Sequence, residues 1–308
     1  VGARRALGAS LLTTHPLLSN FQSPMQKYFG ARIAELLPKI NQSIFIPSIQ
    51  RPYVWEPEQV IKLFDSLMRG YPISTFLFWE LQPQNFGDWD IYRFVSHFRH
   101  GDIHNDPAAL MPDQSATLVL DGQQRLTSLL IGLNGSYTVR NGLRGRGSGW
   151  ISKILLLNLV QAPNSDLDDD DGTVARDLHY GFRFAASDRL PKKDVNAVWF
   201  NVPNIVSVTT RDQLAATIDR LLLLHPDLSD MSQQSLRTNI TRLWEVVYEE
   251  ECIAYYLERA QSYDKVLDIF IRANDGGTKL SRSELLMSMV TLRWDHFNAR
   301  SETEAVSY

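Results

Sequence analysis

The stretch that most constrains this chain runs from Ala116 to Leu133. Ala116-Thr-Leu-Val-Leu120 is apolar and has the length of a buried strand rather than of a helix. It passes directly into Asp121-Gly122-Gln123-Gln124-Arg125, after which Leu126, Leu129, Leu130 and Leu133 recur at helical spacing. A buried strand that turns at a glycine straight into a helix calls for stacked layers of sheet and helix. With the elements below, the fold class it predicts is α+β.

Upstream, Ser43 to Ile46 reads as a short strand ended by Pro47. Pro57 opens a helix carrying Val60, Leu63, Phe64, Leu67 and Met68, and Gly70 closes it. Thr75–Trp79 and Ile91–Phe98 read as strands, the latter as one continuous element. Lys153–Leu159, Gly181–Ala185, Val198–Val202 and Cys252–Leu257 read the same way. Helical stripes cover 212–224, 234–247, 263–273 and 282–294, the last with Ser281 and Glu284 as a capping box. The acidic run of Asp166 and Asp168–Asp171 marks a boundary and reads as a solvated linker. The expected organisation is a disordered arm at 1–22, a mixed α/β core at 23–165, and a mainly helical region at 166–308 packing on it.

Composition removes whole classes. One cysteine in 308 residues excludes a disulfide scaffold and any cysteine-rich zinc or iron–sulfur site. Hydrophobic residues at 44% exclude wholesale disorder, and no run approaches the ~18 apolar residues of a membrane span. Arg4 and Arg5 precede a weak apolar stretch broken by His15 and Pro16, which reads as an arm rather than a signal peptide. The expected setting is the cytoplasm, with no membrane partner.

Charge is segregated. The chain carries 31 Lys+Arg against 35 Asp+Glu, a net −4. Between Asp121 and Asp166 there is no carboxylate, while Arg125, Arg140, Arg144, Arg146 and Lys153 all fall there. Those 44 residues are +5, and the remainder is −9.

Two motifs can carry chemistry. At Asp121–Arg125 a strand gives way to a helix whose first N–H groups are free, an arrangement that attracts phosphate through hydrogen bonds and the helix dipole. Arg125 in the first turn opposes that dipole, which an anion would offset. The alternative is an Asp121 cap, a Gly122 turn and a solvated first turn. No Gly-Lys-Ser/Thr follows, so this is not a Walker loop. Upstream, Ile46-Pro-Ser-Ile-Gln50-Arg51-Pro-Tyr53-Val-Trp55 joins stiffening prolines to polar donors and flat rings, a mix suited to nucleotide or base contact. The alternative is that Tyr53 and Trp55 pack on the following helix.

Taken together, Ile-Pro-x-x-Gln-Arg-x-Tyr-x-Trp, a helix with a Tyr-Pro exit, and Leu-Val-Leu-Asp-Gly-Gln-Gln-Arg-Leu-Thr resemble the N-terminal domain of GmrSD-type modification-dependent (type IV) restriction enzymes. The same domain occurs in SspE-like phosphorothioate-sensing defence proteins. Phe270–Leu280 and Ser283-Glu284-Leu285 add a third similar element, and the likeness spans about residues 30 to 295.

The resemblance implies a ParB/sulfiredoxin-like core that binds and hydrolyses a nucleoside triphosphate (GTP, UTP, CTP or ATP) with Mg2+. It further implies sensing of modified double-stranded DNA and control of a histidine-metal nuclease domain or subunit, with a homodimer as a candidate assembly. Carried onto this sequence, Asp121, Gly122, Gln123, Gln124, Arg125 and Thr127 line the phosphate site. Gln50 and Arg51 face it, and Asn274 and Thr278 form its far wall. Asp121, Gln124, Arg125 and Arg51 are the catalytic candidates, with Arg51 neutralising transition-state charge. Asp121 is also the metal candidate. Gln50, Tyr53, Arg140, Arg144 and Arg146 are the DNA candidates. Ile49 departs from relatives that often carry an aromatic there.

Other groups weigh less. Asp295-His296-Phe297-Asn298 superficially resembles a nuclease finger but reads as a helix end, so the nuclease half is expected outside this chain. His97, His100 and His104 read as surface histidines, and Cys252 as a buried small hydrophobe. The competing function is a non-catalytic DNA-binding module in which Arg125 and the 140–146 region hold the phosphate backbone.

Overall fold

The computed structural model describes residues 28–47, 52–101, 105–140, 149–161, 178–186 and 197–274. The arm at 1–22, the acidic run and the helix expected at 282–294 lie outside them.

The architecture is α+β. A six-stranded sheet is built from β1 (Tyr28–Ala31), β2 (Ile44–Pro47), β3 (Phe76–Leu81), β4 (Ile91–Tyr92), β6 (Ala116–Asp121) and β11 (Ile253–Glu258), in the order β1-β11-β3-β6-β2-β4. β6 runs parallel to β2 and antiparallel to β3, while β11 runs parallel to β3. A second sheet is ordered β10 (Trp199–Asn201), β8 (Trp150–Asn158), β7 (Ser136–Arg140), β5 (His97–Arg99), with β9 (Phe182–Ala186) also on β8. Strands from both sides of residue 165 share each sheet: β11 lies between β1 and β3, and β9 and β10 pair with β8.

Between the sheets run α2 (Pro57–Met68) and α3 (Gln123–Asn134), flanked by α5 (Asp230–Tyr248) with α4 (Arg211–Leu224) against it. Phe76, Phe78 and Val119 of the first sheet, the apolar stripes of α2 and α3, and Tyr137, Leu155, Leu157, Phe182 and Phe200 of the second form one continuous core. On the other side of the first sheet, α6 (Tyr263–Asn274) presses Val266 and Phe270 onto Phe45, Leu77, Trp79, Leu118 and Leu120. The layers are therefore α6, first sheet, helices, second sheet. At the helix crossing Gly132 is required, because a Cβ there would lie 2.4 Å from Cε2 of Phe64.

Local chemistry explains the element ends. Pro57 sits at the first helical position of α2, and the Glu56 N–H donates to Gln59 Oε1 at 3.0 Å. At the other end Arg242 donates to the carbonyls of Met68 (2.7 Å) and Leu67 (3.3 Å), where the helix dipole favours a cation. Glu250 hydrogen-bonds Arg242 and raises its pKa. Buried Asp65 accepts the N–H groups of His179 and Tyr180, both at 2.8 Å, tying α2 to the start of β9.

One expectation is corrected. Ile91–Phe98 is not one strand: Ile91–Tyr92 pairs with β2 in the first sheet, and His97–Arg99 pairs with β7 in the second. The crossing is pinned by Asn41, whose side-chain amide accepts the Phe94 N–H at 2.6 Å and donates to the Phe94 carbonyl at 2.9 Å. With its backbone needs met by a side chain, Phe94 leaves the ladder and buries its ring between the layers. β1, β7 and the four-residue helix α1 (Ile33–Leu36) carried no sequence signal of comparable strength.

Candidate functional site

β6 delivers Asp121 to the end of the first sheet, and Gly122 turns the chain into α3. Gly122 has φ +93°, the left-handed region, and a Cβ there would lie 2.3 Å from Cδ1 of Phe76. No side chain caps α3; the first intrahelical bond of this turn runs from the Leu126 N–H to the Gly122 carbonyl at 2.9 Å. The N–H groups of Gln123, Gln124 and Arg125 thus stand at the uncapped, positive end of a twelve-residue helix.

The side chains of this motif divide their work. Gln123 is buried and donates to the Val119 carbonyl at 2.8 Å, and Thr127 is buried beside it in the helix. Arg125 lies along the rim with its side chain 14% exposed. It donates to the Ile73 carbonyl at 2.7 Å, the Thr75 carbonyl at 3.2 Å and Asp121 Oδ2 at 3.1 Å, and its guanidinium lies 4.5 Å from the centroid of Phe76. Burial lowers the Arg125 pKa, against which the Asp121 charge works. Between the two carbonyls Ser74 has φ 70°, a conformation costing a non-glycine residue about 1 kcal/mol, which the arginine's bonds help to hold. The part that Ile73, Thr75 and Phe76 play at this rim escaped the sequence reading, which took Thr75–Trp79 as an apolar strand only.

Gln124 joins the two motifs. Its amide donates to the Pro52 carbonyl at 3.0 Å and accepts the Val54 N–H at 3.0 Å, imitating one rung of a β-ladder. Tyr53 between them is buried, its ring edge-on to Phe98 with centroids 4.7 Å apart. The Ser128 hydroxyl donates to the Gln124 carbonyl at 2.7 Å, so Tyr53 Oη–H donates to Ser128 Oγ at 2.8 Å. Burial raises the Tyr53 pKa. Downstream, Tyr137 Oη donates to the Trp55 carbonyl at 3.1 Å, and Trp55 packs partly buried on the core. Residues 52–56 are therefore strapped to α3 and β7.

The Tyr53 ring thus has no exposed face for a base; its hydroxyl instead supports the strap. Tyr53→Phe is expected to cost about 1 kcal/mol, seen as a lower urea midpoint, with DNA affinity unchanged. A weaker affinity in anisotropy titrations would restore Tyr53 to a DNA contact.

The remaining candidates divide by position. Gln50, Arg51, Thr278, Arg144, Arg146 and His104 lie outside the described residues. Asn274 is the last residue of α6. Near the start of α6 Lys265 pairs with the buried Glu258 carboxylate at 3.3 Å, and the helix packs on the first sheet through Val266 and Phe270. Arg140 is exposed at the end of β7, in the other sheet. His97 bonds Ser136 at 3.1 Å and His100 lies 3.4 Å from Glu56, both exposed. Among the described residues no three His, Cys, Asp or Glu side chains are grouped as a metal site. Cys252 is half-buried, its thiol pushed up to about 11 by desolvation, and it is not placed for nucleophilic chemistry. No described helix is long and apolar enough to cross a membrane.

A family model described as the N-terminal domain of the GmrSD restriction endonuclease matches residues 33–291. An uncharacterized protein of Methanocaldococcus jannaschii is 31% identical over 134 residues, which are 44% of this chain. The match spans only 21% of that relative's length.

Proposed function

Because the chain belongs to the family of GmrSD restriction endonuclease N-terminal domains, we propose that it is the nucleotide-binding sensor domain of a restriction or phage-defence protein acting on modified DNA. The observation that carries this is the Gln124 clamp, which ties Pro52 and Val54 of the upstream motif to the first turn of α3. The N–H groups of Gln123, Gln124 and Arg125 receive phosphate oxygens. Arg51, next in sequence to the strapped residues, would balance charge on the phosphoryl group, and Gln50 would contact the nucleotide.

The residues fit the groups this reading requires. The start of α3, at Gly122, has no side-chain cap, and its N–H donors suit a triphosphate. The Asp121 side chain is 37% exposed, and one carboxylate with phosphate oxygens and waters is an ordinary Mg2+ environment. When bound, the metal neutralises phosphate charge. Nucleotide occupancy would then reach modified double-stranded DNA and a histidine-metal nuclease domain or subunit through the rest of the protein.

A second reading, a DNA-binding module that hydrolyses nothing, is favoured by the inward engagement of Arg125, three of whose donated bonds stay within the protein. Phosphate release with GTP, UTP, CTP and ATP in Mg2+ separates the two. Hydrolysis of at least one nucleotide is expected. Gln124→Ala should lower it about 10- to 100-fold with the fold intact, because the strap shifts. No release by the wild-type protein with any of the four would remove the hydrolase reading. Equal turnover by Gln124→Ala would remove the clamp from it.

A further inference from the structure

The two sheets have opposite electrostatic character. The strands of the first sheet contain Glu80, Asp121 and Glu258 and no lysine or arginine. Those of the second contain Arg99, Arg140, Lys153 and Arg183 and no carboxylate. The charge segregation legible in the sequence is thus a segregation between layers, and β5 and β9 extend it beyond the 122–165 segment.

The alternation of the second sheet decides which way its cations face. Tyr137, Leu155, Leu157, Phe182 and Phe200 point into the core. In register with them, Phe98 pairs with Tyr137, Phe184 with Leu155 and Phe182 with Leu157. The intervening residues therefore share the outer face: Arg99 on β5, Arg140 on β7, Trp150 on β8, Arg183 on β9 and Trp199 on β10. Arg99, Arg140 and Arg183 are all exposed, and Trp150 is 44% exposed. Lys153 falls on the inward face and does not join them.

Two of the arginines lie over indole rings. The Arg99 guanidinium lies 3.8 Å from the centroid of Trp150, and that of Arg183 lies 4.3 Å from Trp199. Leu156, which pairs with Arg183 on this face, is fully buried. A guanidinium stacked on an indole keeps its N–H groups in the plane, directed sideways and free to hydrogen-bond. Among the described residues none of the three arginines has a carboxylate partner in an ion pair. Strand spacing puts Arg99 and Arg183 roughly 20 Å apart, about half a turn of duplex DNA.

We propose that this outer face, through Arg99, Arg140 and Arg183, is the surface on which the protein holds the phosphate backbone of duplex DNA. The choice of DNA rests on the sensor reading above; the residues do not touch the nucleotide site. The tryptophans preorganise the arginines, each giving one ring face to a guanidinium. Contacts of this kind position DNA and release counterions, leaving modification sensing to another part of the molecule.

The test is fluorescence anisotropy with a fluorescein-labelled unmodified duplex across a salt series, without nucleotide. The triple variant Arg99→Gln/Arg140→Gln/Arg183→Gln is compared with Lys62→Gln/Arg220→Gln/Arg237→Gln, which removes the same charge from exposed helix positions. Circular dichroism melts establish that both fold. The face variant should lose at least about tenfold in affinity, its salt slope becoming shallower by roughly 2.7, while the helix variant stays close to wild type. Equal losses in both variants would reduce the effect to net charge and overturn the proposal, as would an unchanged face variant. Tighter binding of the corresponding single strand than of the duplex would also overturn it. Phosphate release on the same preparations keeps the readings apart. Failure of the face with nucleotide turnover intact leaves the nucleotide site standing, and loss of turnover in wild type alone leaves the face standing.

Discussion

Gly122→Ala is expected to destabilise the protein by about 2–5 kcal/mol and to abolish nucleotide turnover. Two independent terms add. The left-handed backbone at φ +93° costs an L-residue about 1–2 kcal/mol. The new methyl would also lie 2.3 Å from Cδ1 and 2.8 Å from Cε1 of Phe76, a fully buried ring, and overpacking of that kind costs about 1–3 kcal/mol. The ring cannot yield freely, because the Arg125 guanidinium lies against it and shares the same rim. Urea unfolding measures the total, and Phe76→Leu divides it. In the double variant the steric part should be recovered while the backbone part persists, giving a coupling of about 1–3 kcal/mol. A Gly122→Ala protein within about 0.5 kcal/mol of wild type would show that the turn relaxes and that its shape does not set the site.

The strength of the local signal separates what could be read from sequence. The β6–Gly122–α3 unit was legible because an apolar strand, a glycine and a leucine stripe coincide within eighteen residues, Ala116 to Leu133. α2 was legible for the same reason, with Pro57 and Gly70 at its ends. Where a side chain replaces backbone pairing, periodicity says nothing. The break within 91–98 is held by Asn41, over fifty residues from Phe94, and by Asn105 and Asp106 beyond the segment. Within the site, residue type indicated the kind of bond but not its partner. Gln123 reads from the sequence as a phosphate-site residue or, alternatively, a solvated first-turn one, yet its side chain is buried, with its donor satisfied one turn back at Val119. Tyr53 offers a ring equally able to stack on a base or to fill the core, and Ser128, 75 residues on, draws it inward. That the two motifs adjoin was implied by their joint resemblance to one family; the Gln124 amide is the physical reason.

Arg125 is the residue whose loss should reduce turnover most, and its geometry changes the reason. As a first-turn arginine it could meet a phosphate directly. In the structure its fork spans Ile73, Thr75 and Asp121, which leaves Nε–H and one Nη1–H as spare donors. It is thus a positioning residue for the rim with limited capacity to touch a ligand as well. Arg125→Ala would leave two rim carbonyls and the Asp121 carboxylate without their shared donor. The expected cost is about 2–4 kcal/mol of stability, with turnover falling at least about 100-fold. Arg125→Lys is the sharper test. An ammonium keeps the charge but cannot span three acceptors in one plane. If charge alone matters, the lysine variant retains turnover; if the planar fork matters, turnover falls nearly as far as in alanine while the protein stays folded. Calorimetric titration with a non-hydrolysable nucleotide then separates contact from positioning. Direct phosphate contact predicts weaker binding that depends on the number of phosphates. A positioning role predicts the same proportional loss for mono-, di- and triphosphate. Turnover equal to wild type in Arg125→Ala would remove this arginine from the site altogether.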